Sequence, residues 1–250
     1  MSIHSVLVTG SSRGIGFGLV QKFLESDKVG LVIAASRPSA TSELLTIKNK
    51  KLHLVTLDVT DDDSIVKAVE QVDQIVGQKG LTILVNNAGI LQGYGFTDKP
   101  NRDVVNQTFD TNITSPMMMA QYFYPLLKRA ADSQPGNTFS SSRAAIVNIS
   151  SILGSIQLAQ PSDNGIKKLL DYSVSKAGVN MVSRILSKDL ETYGIICTAL
   201  HPGWIQTRMG GEHAPITLEE CVSKLAPSIM SLTQEQNGGF FDRELKAIPF

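Results

Sequence analysis

Short apolar runs rich in β-branched residues alternate along this chain with longer stretches whose apolar positions recur at every third or fourth residue. Ser5-Val6-Leu7-Val8-Thr9 reads as a first strand that breaks at Gly10, and a helical pattern through Ile15, Leu19, Val20, Phe23 and Leu24 follows at once. Leu31 to Ala35 and Leu52 to Leu57 read as the next two strands. Asp61-Asp62-Asp63 then precedes a helix through Val66, Val69, Val72 and Val76, where acids cap the first turn and complement its dipole. Leu81 to Val85 is a fourth strand ending in Asn86-Asn87-Ala88-Gly89. A polar, glycine-rich stretch from Leu91 to Asp103 leads into a long helix predicted over Val104 to Ala130, and Asp132 to Ser142 reads as a mobile surface loop. Ala144 to Ile149 is the continuous apolar run of a buried parallel strand, closed by Ser150-Ser151. The next helix carries Tyr172, with an apolar side of Val174, Ala177, Gly178, Met181, Val182 and Ile185. Ile195 to Leu200 and Gly238 to Phe241 supply the last two strands. Strands and helices in alternation predict an α/β fold, a doubly wound parallel sheet, and nothing reads as a linker between two cores, so one domain is expected over 1–250.

Composition narrows the function classes. The 250 residues are 42% hydrophobic and 18% charged, with 23 basic and 23 acidic side chains, so no charge bias points to nucleic acid or a membrane surface. No stretch approaches the about 20 apolar residues of a spanning helix. The opening Met1 to Ser5 has no basic segment followed by an apolar run, and a cytoplasmic location is expected. Cys197 and Cys221 are the only cysteines and read as reduced packing residues; no metal site is expected.

The chemistry gathers at the strand ends. Thr9-Gly10-Ser11-Ser12-Arg13-Gly14-Ile15-Gly16 lies between a strand and a helix, where glycines let the backbone approach a pyrophosphate at the helix N-terminus. The spacing is G-x-x-x-G-x-G, and the setting is that of a Rossmann-type dinucleotide site. An acid about 20 residues further on would hold a ribose hydroxyl, whereas an arginine accommodates a 2′-phosphate. The second strand ends here at Ser36-Arg37, with Arg13 close by, so NADP(H) is expected over NAD(H); two solvated arginines are the competing reading. Tyr172 and Lys176 stand four apart, one helical turn, and a fixed positive charge beside a phenol favours its ionised form, bringing a pKa near about 10 toward working range. Met117, Met118 and Met119 beside Phe123, Leu126 and Leu127 read as core or as a subunit interface. The run Ile205 to Pro215, with Gly210-Gly211, reads as a loop that closes over a ligand, and His213 as a loop residue rather than a catalyst. Tyr94, Ile152, Leu153, Trp204 and Met209 are either the wall of an apolar pocket or core.

Taken together the chain resembles a single-domain short-chain dehydrogenase/reductase over nearly its full length. The match runs through Thr9 to Gly16, Asn86 to Gly89, Asn112, Ser151, Tyr172 with Lys176, and Pro202-Gly203 with Thr207 behind. Gly239-Phe240-Phe241-Asp242, Ile248-Pro249-Phe250 and Ser151 to Ile156 resemble the C-factor and sniffer-type carbonyl reductases more narrowly. The resemblance implies a catalytic set of Asn112, Ser151, Tyr172 and Lys176. It implies cofactor contacts from Gly10, Ser12, Arg13, Gly14, Ile15 and Gly16, from Arg37, Asp58 and Val59, from Asn87, Ala88 and Gly89, from Tyr172 and Lys176, and from Pro202, Gly203, Ile205 and Thr207. NADPH would deliver hydride to an aldehyde, ketone or quinone, Ser151 would bind the carbonyl oxygen, Tyr172 would donate the proton, and Asn112 would anchor a water leading to Lys176. A nucleotide-sensing protein with little turnover is the alternative the C-factor likeness permits. The family also implies pairing into a homodimer through the helices of Asn112 and Tyr172. Two features depart from the family: Ser151 and Tyr172 are 21 residues apart, longer than the usual interval, which makes Gln157 to Leu170 an insertion beside the site; and Ser150 neighbours Ser151 as a competing serine. Nucleotide oxidation measured with both cofactors is expected to favour NADPH, and a preference for NADH would overturn the reading of Arg13 and Arg37.

Overall fold

A computed structural model of the chain describes residues 2–38, 43–136, 138–163 and 168–250. Seven strands form one sheet: β1 (Ile3–Thr9), β2 (Val29–Ser36), β3 (Leu52–Thr56), β4 (Ile83–Asn86), β5 (Ala145–Ile149), β6 (Ile196–His201) and β7 (Phe240–Asp242). They lie in the order β3-β2-β1-β4-β5-β6-β7, and every neighbouring pair is parallel. Because all strands point the same way, their C-terminal ends meet along one rim. The order reverses at β1 and β4, and a crevice opens where it does.

Alternation along the central strands divides the core. Val6 and Val8 of β1 face α1 (Gly14–Glu25) and α6 (Leu218–Met230), where Leu19, Phe23, Cys221 and Leu225 are buried. Leu7 faces the other layer, with Ile65 and Val72 of α2 (Asp62–Val76) and Phe123 and Leu127 of α4 (Ser115–Asp132). Both cysteines are buried and unbonded to each other, and burial pushes the Cys197 thiol up. Asp61 caps α2 as its position suggested, its Oδ1 accepting from Asp63 N at 3.0 Å and Ser64 N at 3.3 Å.

Three features differ from the sequence pattern. The helix predicted over Val104 to Ala130 is two, α3 (Arg102–Phe109) and α4, joined by one π-helical turn over Asp110–Thr114 that holds Asn112. The polar stretch from Asp132 to Ser142 is tied down by its neighbour Arg143, which is buried and donates to the carbonyls of Tyr193, Gln134 and Gly136; Asn137 lies outside the described residues. The third correction concerns α5 (Leu170–Asp189), whose expected apolar side is divided between solvent and core. Val174, Met181 and Ile185 are exposed, Ala177 and Gly178 are half-buried, and Val182 is buried, together with Val179, Tyr172, Ser175, Lys176, Asn180, Ser183 and Ser187. Periodicity reveals a stripe without saying which surface takes it up. Much of the inner face is polar because its partners are polar: Ser150 Oγ bonds Asn180 Oδ1 at 2.6 Å, and Asn148 Nδ2 donates to Ser183 Oγ at 2.9 Å.

Phe123 is fully buried at the heart of the α2–α4 layer. Phe123→Ala is expected to lower the unfolding free energy by about 3–5 kcal/mol in denaturant titrations, through lost burial plus the cavity left behind. A loss below about 1 kcal/mol would mean that the layer repacks freely.

Candidate active site

The glycine loop is built to be approached closely. Gly10 has a φ of 63°, and a side chain there would come within 2.9 Å of Ala88 Cα, so neither the backbone conformation nor the space admits one. The Thr9 hydroxyl accepts from the N–H groups of both Asn87 and Ala88 at 3.0 Å, and Asn87 Nδ2 donates back to the Thr9 carbonyl at 2.8 Å. These bonds lock the end of β4 onto the end of β1. Ser11 fixes the loop to β2, its hydroxyl donating to the Ala35 carbonyl at 3.0 Å. Thr207 closes the other side, its methyl 3.5 Å from where a side chain on Gly14 would stand.

Arg13 and Arg37 are exposed, and neither makes an ion pair among the described residues. Asp58 spends one oxygen on Thr60, accepting from its N–H at 3.1 Å and its hydroxyl at 2.8 Å, and Val59 packs on the α2 layer. Pro202 and Ile205 are buried under the loop after β6, and Cys221 points at the Pro202 carbonyl. The glycine loop, the Asn87–Gly89 turn and the Pro202–Thr207 loop thus border one groove at the strand ends. Backbone N–H groups at a helix N-terminus and two unpaired guanidiniums fit a phosphorylated dinucleotide.

Beyond the groove, Tyr172 and Lys176 emerge from the first turns of α5. The Tyr172 hydroxyl is hydrogen-bonded to Ser151, and Ser151 Oγ also accepts the Leu153 N–H at 3.2 Å. Ser150, the competing serine, is turned away to Asn180. Lys176 Nζ donates to the Ile149 carbonyl at 2.8 Å and lies 5.5 Å from the centre of the Tyr172 ring. Asn112 is committed to structure: its amide donates to the Ile90 carbonyl at 2.9 Å and to Ser175 Oγ at 3.0 Å, while its oxygen accepts the Ile90 N–H at 2.9 Å. It therefore holds the chain beyond Gly89 with one side chain and α5 with the same group.

Burial, not the neighbouring charge, dominates the ionisation of the pair. It pushes the Tyr172 phenol up to about 12, with the Ser151 bond pulling the other way. It draws the Lys176 ammonium down to about 8, with no carboxylate to oppose the shift. Desolvation in the dinucleotide-free chain thus works against the ionised phenol, opposite in direction to the pull expected of Lys176. His201, half-buried at the end of β6, is drawn down to about 4 by desolvation and stays neutral. His213 is fully solvated beside Glu212.

Tyr94, Ile152, Leu153, Trp204 and Met209 are all at least partly exposed, so none is core. The loop after β6 is stitched to itself, Trp204 Nε1 donating to the Gly210 carbonyl at 2.8 Å and Gln206 Nε2 to that of Ala214 at 3.0 Å. The described part of the stretch from Gln157 to Leu170 runs past Leu153 and Ser173 and is pinned by a Lys168–Asp98 ion pair; residues 164–167 lie outside the described residues. Thr9 and Ser175, which tie the site together, escaped the sequence reading, although both sit inside motifs it singled out and carry hydroxyls where a small apolar residue would serve packing alone.

A family model described as short chain dehydrogenase matches residues 4–215. Among solved structures, the Sniffer protein of Caenorhabditis elegans is 40% identical, with a TM-score of 0.90 and both chains covered in full. NADPH-bound carbonyl reductase from chicken fatty liver is 36% identical with a TM-score of 0.94, covering 100% of this chain and 95% of that one. The carbonyl reductase Sniffer of Drosophila melanogaster is 32% identical with a TM-score of 0.91, covering 99% and 100%.

The depressed Lys176 pKa has a measurable sign. Between pH 8 and the ordinary 10.5 the unfolded chain holds a proton that the folded chain has lost, so stability rises with pH across that window. In dinucleotide-free protein, Lys176→Met is expected to be more stable than wild type at neutral pH by up to about 3 kcal/mol. That gap should shrink as the pH climbs through the window. Denaturant unfolding at several pH values checks it, and a gap independent of pH would refute the burial argument.

Proposed function

Because the chain belongs to the short-chain dehydrogenase/reductase family, we propose that it is an NADPH-dependent carbonyl reductase that converts an aldehyde, ketone or quinone to the alcohol. The observation that carries this reading is a phenol kept protonated at neutral pH, hydrogen-bonded to Ser151 and one helical turn from Lys176. A group that holds its proton until an alkoxide develops beside it is suited to donating in the reducing direction. Identity of 36% to an NADPH-bound carbonyl reductase, over this whole chain, supports the cofactor and the class.

When bound, the cofactor supplies the hydride. Arg13 and Arg37 would take its 2′-phosphate, the loop from Gly10 to Gly16 with Ser12 and Ile15 its pyrophosphate, Asp58 and Val59 its adenine end, and Asn87 to Gly89 with Pro202, Gly203, Ile205 and Thr207 the nicotinamide half. Ser151 accepts from Leu153 through its oxygen, and the proton it shares with the phenol would turn to a carbonyl oxygen when a substrate enters. Tyr172 would donate the proton that completes the alcohol. Lys176 spends one of its three N–H groups on Ile149 and keeps two for a ribose hydroxyl and for the phenol. Asn112 fixes the Ile90 backbone and α5 relative to each other with both amide N–H groups and one acceptor site, and would anchor a water leading to Lys176 through its remaining acceptors. Ile152, Leu153, Trp204 and Met209 supply apolar surface for the body of the substrate.

Tyr172→Phe is expected to lower kcat for NADPH-dependent carbonyl reduction by about 10²–10⁴-fold while NADPH still binds, since only the proton donor is removed. Stopped-flow turnover and fluorescence titration check the two halves, and full activity in the variant would sink the assignment.

We also propose that the outward apolar stripe of α5, with Val174, Met181 and Ile185 48%, 59% and 53% exposed, pairs two copies of the chain. Light scattering should give twice the chain mass for wild type and the single mass for a Met181→Asp/Ile185→Asp variant. A monomeric wild type would overturn the pairing.

A further inference from the structure

Asp171 immediately precedes the phenol and is 2% exposed. Among the described residues its carboxylate has one hydrogen-bond partner: Thr108 of α3, itself fully buried, donates its hydroxyl to Oδ2 at 2.6 Å. The other oxygen, Oδ1, is buried with no hydrogen-bond partner among them. No lysine, arginine or histidine pairs with it among the described residues. A carboxylate is costly to place in such surroundings, and packing alone would be better served by a small apolar residue.

Its surroundings say what it holds. Four residues along each helix, Asn112 donates to Ser175, so Thr108–Asp171 and Asn112–Ser175 form two polar rungs one turn apart between the α3–α4 helix and α5. The Ser175 hydroxyl donates onward to the Tyr172 carbonyl at 2.7 Å. Tyr172 therefore lies between the rungs. The start of α5 has no side-chain cap at Leu169 and is otherwise held from the loop side, by the Lys168–Asp98 ion pair, the Leu169 N–H on the Ser162 carbonyl at 2.7 Å and the Leu170 N–H on that of Tyr94 at 2.9 Å. A carboxylate in the first turn also suits the positive end of a helix.

We propose that Thr108 and Asp171 are positioning residues that clamp the first turn of α5 onto α3 and thereby hold the Tyr172 hydroxyl against Ser151. The proposal rests on the reductase reading for its effect on turnover, but not for its effect on the helix. The second rung and the clamp act on the same turn, so loss of either frees the phenol from one side only.

The test uses two readouts, steady-state carbonyl reduction with NADPH varied and amide hydrogen exchange along α5 with NADP bound. Thr108→Val is expected to lower kcat roughly tenfold with the KM for NADPH unchanged, since a small misplacement of a reacting group is costly in rate. It should also speed exchange in the first turn of α5 and leave the C-terminal turns as they were. Thr108→Ser and Asp171→Asn, which keep a donor and an acceptor in place, should restore both. Because Thr108→Val strands a buried carboxylate and so endangers folding, Thr108→Val/Asp171→Leu is made beside it; with neither polar partner left it should fold well yet keep the low kcat. Full activity in the folded double variant, or unchanged exchange in the first turn, would overturn the clamp. If wild type reduces no carbonyl while exchange still responds as described, the reductase reading fails and the clamp on the helix stands.

Discussion

Lys176 carries its ammonium into surroundings that contain no carboxylate, with the Ile149 carbonyl as its fixed acceptor, and much of the local architecture serves to keep it there. The helix must come close to the sheet for a side chain to reach from α5 to the end of β5. Gly154 makes this possible: a side chain there would stand 2.5 Å from the Lys176 carbonyl carbon, so only glycine allows the turn after Ser151 to lie against the helix backbone. Ser150 and Asn180 then seal the contact, the asparagine donating to the Gly154 carbonyl at 3.2 Å while its oxygen meets the Ser150 hydroxyl. The buried charge has one neutral hydrogen bond and no ion pair among the described residues, so part of its burial cost stays uncompensated. The site accordingly has a cation with free N–H groups, where a carboxylate partner would have taken them.

The same economy of neutral groups runs into the sheet. Asn86 donates to Asn148 at 2.8 Å across β4 and β5, and Asn148 donates to Ser183 on α5, so a line of amides and hydroxyls links the strands to the helix that carries the phenol. Parallel register supplies the alignment, pairing Asn86 with Asn148 directly. The crevice and the Tyr172 helix are thus parts of one hydrogen-bonded body, and displacement of either strains the other.

Much of this was legible in the order of residues. Runs such as Leu81 to Val85 and Ala144 to Ile149 are apolar without alternation because both faces of a parallel strand are covered, and that signal survives any detail of packing. Tyr172, Lys176 and Ser151 come together because strand ends and helix starts share one rim, a consequence of topology rather than of local preference. What could not be read was the role of small polar residues between those landmarks. The π turn at Asp110–Thr114 arises from how α3 and α4 meet α5, which no propensity encodes. The apolar side of α5 divides for a related reason: an apolar face normally marks the inside, but here Ser175, Asn180 and Ser183 share the inside with Val179 and Val182, and their partners lie far away in sequence. Spacing likewise reveals the ammonium near the phenol but not the burial that pushes its pKa up.

The division of α5 links chemistry to assembly. The inner face of α5 buries Val179 and Val182 but is otherwise largely spent on hydrogen bonds to the sheet and to the π turn, so Val174, Met181 and Ile185 remain on its outer face and contribute little burial to the chain's own fold. An outer stripe of this kind is expensive to leave in water over many turns, and a second copy of the chain is a surface of matching chemistry that is always present. Covering Val174 would bring a partner within one turn of Tyr172 and Asp171 without touching the groove. The clamp and the proposed pairing would then press on the same first turns of α5 from opposite sides, and rigidity at the phenol would depend on both.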